Sequence, residues 1–202
     1  MSVGASRSSW IDTTIALAIA TGLLYVAGWS YSYHWLDWMD IGLFGLGVPK
    51  EYQLIYGFWV LQRLWWVILL LAAVTALVAW AARRWVPSIQ GALLVAGALA
   101  AFPLSYAGGA RVARQDYASH RETGFEQYPW VRIWLTDDAS AVDARMERLR
   151  GDLAGAKYRL LIEASHGVYV IKPTSQSEPA TVEIPWGEIR SLRRLPTHPG
   201  GR

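Results

Sequence analysis

The sequence predicts a membrane α-helical domain of three transmembrane helices, followed by a small α+β domain with a mainly antiparallel sheet. Three observations predict it. Charge is unevenly divided: residues 1–110 carry nine Lys, Arg, Asp or Glu, and residues 111–202 carry the other 26. The first half also contains three apolar runs, at about 11–28, 64–82 and 89–106, each near the length that crosses a hydrocarbon core. Beyond residue 128 the hydrophobic period changes from helical to alternating, the mark of strands. Two domains follow: a membrane domain over 1–110 and a water-soluble α+β domain over 111–202, ending in a disordered tail.

The second run is the clearest. It has no charged residue over 64–82, with Trp65 and Trp66 at one end, Trp80 and Trp85 at the other, and Arg63, Arg83 and Arg84 outside them. Nineteen helical residues rise about 28 Å, aromatic rings favour the interface, and arginines snorkel to water. Nine of the twelve tryptophans lie within residues 1–85, at the ends of apolar runs, as an interfacial belt requires.

Residues 1–9, rich in Ser with one Gly and one positive charge at Arg7, read as a short disordered tail. The run 11–28 reads as a retained first helix, with a cleaved signal peptide as the alternative. Residues 30–56 form an aromatic interfacial loop: Gly42, Gly45, Gly47 and Pro49 argue against one continuous helix. Tyr33 to Met39 is expected as a short amphipathic helix on the bilayer surface, with Trp35 and Trp38 facing lipid. Asp37 and Asp40, three residues apart, would share a helix face, and Arg63 would pair with Asp40 or Glu51. Trp35, Asp37, Trp38, Asp40, Glu51 and Arg63 are thus the candidate interaction or ion-pair residues of the membrane half. Pro87 closes the second helix. In the third run Gly91 and Gly97 are expected to permit close helix packing, and Pro103 to kink or end it.

Residues 111–127 are expected to form a polar helix or linker. Val131, Ile133 and Leu135 alternate as a strand, and Ser140 with Asp143 forms a weak capping box. Val142, Met146, Leu149 and Leu153 recur at helical spacing, with Gly151 or Gly155 as the stop. Strands follow near 158–164 and 168–172, joined at Ser165-His166-Gly167, then at 181–184 and 188–192. The order is β-α-β-β-β, with the helix over one sheet face.

The absence of cysteine excludes disulfides, thiolate metal sites and cysteine nucleophiles. Charge in the second half is mixed, 14 basic and 12 acidic residues, which excludes the basic stripe of a nucleic-acid surface. No zinc-protease, nucleophile-elbow or phosphate-loop pattern is present. His34, His120, His166 and His198 do not form a ligand spacing, so no metal and no cofactor is expected. Arg190, Arg193 and Arg194 form one basic cluster, suited to anionic lipid or an acidic partner. Arg145, Arg148 and Arg150 form another.

The functional expectation is a non-enzymatic integral membrane protein, an accessory, sensor or immunity-type protein. It presents its soluble domain to a protein partner or senses at the membrane surface. The partners are the lipid bilayer and a protein or a second copy of the chain, with no nucleic acid. One alternative is an oligomeric transport or channel component. The other is a membrane-interface enzyme using Asp37, Asp40 and His34. The architecture resembles small bacterial multi-pass proteins, placing it in an inner membrane, although no motif names a family. Arg7, Arg83 and Arg84 favour a cytoplasmic N-terminus and an external C-terminal domain, while Lys50, Arg63, Arg111, Arg114 and Arg121 count against that orientation.

Overall fold

The computed structural model describes residues 5–46, 49–67, 69, 73, 74, 77, 80, 89–136, 144–173 and 181–196. Helices come first and a small antiparallel sheet domain follows. The elements are α1 (Ala5–Asp37), a 3-10 turn (Leu43–Leu46), α2 (Lys50–Arg63), α3 (Ile89–Glu122), β1 (Trp130–Leu135), α4 (Ala144–Ala154), β2 (Tyr158–Glu163), β3 (Gly167–Ile171), β4 (Thr181–Pro185), a 3-10 turn (Trp186–Glu188) and β5 (Ile189–Arg194). They divide into two compact units. One comprises Met1–Trp35 with Val48–Arg114, the other Leu36–Gly47 with Gln115–Arg202.

In the helical unit, glycines set the packing of α1. A Cβ on Gly28 would lie 1.7 Å from the Gln53 carbonyl oxygen, and one on Gly57 would lie 2.1 Å from that of Leu24. Only glycine on both helices allows this approach. On the α3 side, a Cβ on Gly109 would lie 2.3 Å from the Ala27 carbonyl oxygen. Serines reinforce the contact: Ser30 Oγ donates to the Tyr106 carbonyl at 2.6 Å, and Ser105 Oγ to that of Leu23 at 2.7 Å. Ala27, Tyr31, Val60, Val112 and Ala113 form the apolar centre, with Trp35, Tyr56 and Leu64 against it.

One helix among the described residues is long and apolar enough to cross a membrane: Thr14–Asp37, within α1 and near the N-terminus, a property that a signal sequence shares. Three transmembrane helices are therefore not supported by these residues. Most of the run 64–82 lies outside the described residues. The run 89–106 is helical as part of α3, with the side chains of 89–95 outside the description.

Several expectations are corrected here. The disordered tail expected over 1–9 is not borne out for residues 5–9, because α1 starts at Ala5. Tyr33 to Met39 is not a separate surface helix, because α1 continues to Asp37, held by the contacts of Gly28, Ser30 and Ser32. Pro103 does not end α3. Contacts on both sides of it, Phe102 against Gly22 and Ser105 on Leu23, offset the lost backbone bond. Among the described residues of the chain Gly97 packs against nothing, having no atom within 4 Å of its Cβ site. α4 stops at Ala154, immediately before Gly155 as expected, and the left-handed residue beyond it is Ala156 (φ 56°). Val142, Ser140, Asp143, Pro87 and the tail 197–202 lie outside the described residues.

The second unit has the expected β-α-β-β-β order. Its five-stranded sheet runs β4-β3-β2-β1-β5 with every pairing antiparallel. Val131, Ile133, Leu160, Val168, Val170 and Ile184 turn to one face, where Leu149 and Leu153 of α4 cover them. Around β2 and β3 the opposite face is buried too: Arg159, Leu161, Tyr169 and Ile171 are all inaccessible or nearly so. The turn after α3 packs there, since Arg159 Nη1 donates to the Glu126 and Tyr128 carbonyls at 3.1 and 2.6 Å. Its guanidinium lies 4.2 Å from the centre of the Trp130 ring, and burial lowers its pKa from the ordinary arginine value.

Candidate functional site

Trp35, Glu51 and Arg63 belong to the helical unit, and Asp37, Trp38 and Asp40 to the sheet-bearing unit. Trp35 stacks on Tyr31, with ring centres 6.2 Å apart. Glu51 is exposed in the first turn of α2 and Arg63 in its last. Twelve residues of helix span about 18 Å, so Arg63 does not pair with Glu51.

Leu36, Met39, Ile41, Leu43 and Leu46 are buried and belong to the sheet-bearing unit. Trp38 stacks on Tyr117 at 5.7 Å, and Phe125 meets both Tyr117 and Tyr128 edge-on or tilted. Asp37 is the last residue of α1, while Asp40 takes the left-handed conformation beyond it (φ 56°). The Ile41 amide bonds back to the Leu36 carbonyl at 2.9 Å, a Schellman closure. The two carboxylates therefore do not share a helix face.

The histidines are likewise dispersed. His34 packs edge-on to Tyr33 and Tyr106. His120 Nε2 lies 2.7 Å from the Gln127 amide nitrogen. His166 Nε2 lies 2.9 Å from Tyr169 Oη and 3.2 Å from Glu183 Oε1. Burial raises the Tyr169 phenol pKa, and the neighbouring Glu183 carboxylate adds to the rise. Glu163, three residues before His166, is instead bound by Arg194. His198 lies outside the described residues. Among the described residues no three His, Asp or Glu side chains converge as metal ligands.

The most site-like surface is on β1 and β5. β5 is an edge strand, and its register places Arg193 opposite Arg132 and Ser191 opposite Trp134. Directly opposed residues project from the same face. Arg132, Trp134, Ser191 and Arg193 are all exposed there. The register then shifts between Trp134 and Leu135, which pairs with Ile189. Arg190 is the extra residue of this bulge, a device that re-aims a side chain. Trp134, Leu135, Arg190 and Ser191 line a hollow of about 370 Å³.

Of the expected basic cluster, Arg190 and Arg193 thus frame this surface. Arg194, opposite Val131, is engaged by Glu163. Arg132 was not part of the expected cluster. Alternation on β1 places it on the face opposite Val131 and Ile133, but only the pairing with the last strand brings it to Arg193. In the second cluster, Arg145 and Arg148 are exposed on α4, while Arg150 Nη2 donates to the Thr136 carbonyl at 2.9 Å.

Compared with protein-family models, curated proteins and solved structures, the chain matches none of them.

Proposed function

We infer that this is a non-enzymatic integral membrane protein whose helical unit is embedded in a bilayer and whose α+β unit is presented to a protein partner at the membrane surface. The observation that carries the reading is the apolar exterior of the helical unit, around a small core that also holds polar side chains. Ser30, Ser32 and Gln53 are inside it, with Ser32 Oγ 2.6 Å from Gln53 Oε1. Ile15, Leu17, Ile55, Phe58, Leu99 and Leu104 are outside, each more than half exposed. In water that arrangement leaves apolar surface uncovered. In lipid it is favoured, because polar groups must find partners within the bundle and apolar groups need none.

α1 is read as a retained anchor, not a removed signal sequence. Gly28, Ser30 and Ser32 are built into its contacts with α2 and α3, and those contacts have no function in a segment that is cut away. Two further spans, at 64–82 and 89–106, complete a three-helix anchor. The orientation follows Arg83 and Arg84: N-terminus cytoplasmic, α+β unit external, in a bacterial inner membrane. Support for a protein partner comes from Trp38, Trp134 and Trp186, which stay 46%, 39% and 41% exposed on the second unit, since tryptophan anchors interfaces.

Alkaline carbonate extraction of membranes tests the anchor: the chain should stay in the pellet, and release into the supernatant refutes it. A reporter fused at the C-terminus tests the orientation, with a cytoplasmic signal overturning it. Crosslinking in membranes tests the partner; recovery of the chain alone, as a defined oligomer, would favour the transport or channel reading instead. Gly97, open on α3, is the observation that keeps that second reading in view.

A further inference from the structure

The cross-strand pair Arg132–Arg193 is electrostatically unfavourable as it stands. Directly opposed residues in an antiparallel pair have Cβ atoms about 5 Å apart, and like charges there repel. Glu163 is bound to Arg194, the neighbour of Arg193 in sequence. Asp137 and Asp138 lie outside the described residues. The next pair on the same face, Trp134 with Ser191, supplies an apolar ring and a hydroxyl. The bulged Arg190 borders the same hollow.

We propose that this face of β1 and β5 is an oxyanion site for a phosphate group. Arg132 and Arg193 supply two planar forks of N–H donors, Ser191 supplies one hydroxyl, and Trp134 stacks on the apolar part of the phosphate bearer. Guanidinium forks match phosphate oxygens in pairs. Two opposed forks and a hydroxyl suit the diverging oxygens of a tetrahedral phosphate, mono- or diester, better than the two coplanar oxygens of a carboxylate. Binding replaces a repulsion with two charge-assisted contacts, which is why the sheet carries the pair at its edge. The phosphate is that of a small soluble ester or of a lipid headgroup, and the test separates them. The inference does not depend on the bilayer reading of the helical unit.

The test is arginine-specific modification by phenylglyoxal, read residue by residue by mass spectrometry on the full chain in nonionic detergent. Inorganic phosphate, against chloride at equal ionic strength, should slow modification of Arg132 and Arg193. The slowing should reach roughly tenfold at ten times the dissociation constant, with Arg145 and Arg148 on α4 unchanged. In Arg193→Gln the protection of Arg132 should fall away. A second arm uses nanodiscs of phosphatidylglycerol or of phosphatidylcholine. Protection of both arginines by phosphatidylglycerol assigns the group to a lipid headgroup; protection by free phosphate alone assigns it to a soluble ester. Absence of protection in both arms, or equal slowing at Arg145 and Arg148, overturns the proposal.

Discussion

Three residues beyond helix ends take the left-handed conformation without being glycine: Asp40, Phe125 and Ala156, each at φ 56°. They are not alike. Asp40 is of a type that tolerates this region. Phe125 is 1% exposed among Tyr117 and Tyr128, and burying such a ring contributes about 2–3 kcal/mol, more than the roughly 1–2 kcal/mol of the conformation. Ala156 has no such compensation. It occupies the C′ position of a Schellman closure, with the Ala156 amide on the Leu153 carbonyl and the Lys157 amide on that of Asp152. Ala156→Gly should therefore stabilise the chain by about 1 kcal/mol, read as a raised unfolding midpoint. Gly124→Ala, at φ 59° beyond α3, should destabilise by a similar amount.

Asp152 offers a second residue-scale test. Lys157 Nζ lies 2.7 Å and Lys172 Nζ 2.5 Å from its two oxygens. Those hydrogen bonds hold its pKa below the ordinary aspartate value and raise that of Lys172. A carboxylate whose pKa is depressed on folding contributes stability above its unfolded pKa, near 4, and loses it as pH falls through the folded value. Lys157 is well exposed, so the pairs contribute only about 1 kcal/mol in total. Asp152→Asn should lower the unfolding midpoint at neutral pH and leave it unchanged in strong acid. An equal effect at both pH values would show that packing, not charge, is the cause.

At the scale of elements, helix contact is set by Gly28, Gly57 and Gly109. Gly28→Leu or Gly109→Leu would drive a side chain into backbone, at a cost of at least about 3 kcal/mol, visible as loss of protease resistance in detergent. Gly97→Leu meets nothing and should leave resistance intact. These glycines were hard to read from sequence, because the residues that make Gly28 necessary lie 25 or more positions later, at Gln53 and Gly57. Gly91 and Gly97 drew attention by sitting in an apolar run, a local property. The strands were legible for the opposite reason: alternation at Val131, Ile133 and Leu135 is local. What local pattern does not contain is register, and register with the last strand in the chain is what brings Arg132 to Arg193. Of the two effects expected of Pro103, the ending does not occur, with contacts to α1 on both sides of it.

At the scale of the molecule, the scarcity of charge before about residue 110 and the apolar exterior of the helical unit belong together. Many of its large apolar side chains lie outside, while Ser32 and Gln53 meet inside. Among the described residues, only Trp38, Trp134, Met146 and Trp186 of the second unit are large, apolar and exposed. The other such residues all lie in the helical unit. One helix among the described residues, Thr14–Asp37, is long and apolar enough to cross a membrane.

The bilayer placement is tested most directly by accessibility, and the lack of any cysteine lets single nitroxide labels be introduced cleanly. Labels would be placed at Leu17 and Leu99, which are 67% and 68% exposed, and at Ser30, which is 0% exposed, in chain reconstituted into bilayers. Leu17 and Leu99 should collide with dissolved oxygen far more than with a water-soluble nickel complex, and Ser30 with neither. Collision of Leu17 and Leu99 mainly with the nickel complex would place those surfaces in water and contradict the account.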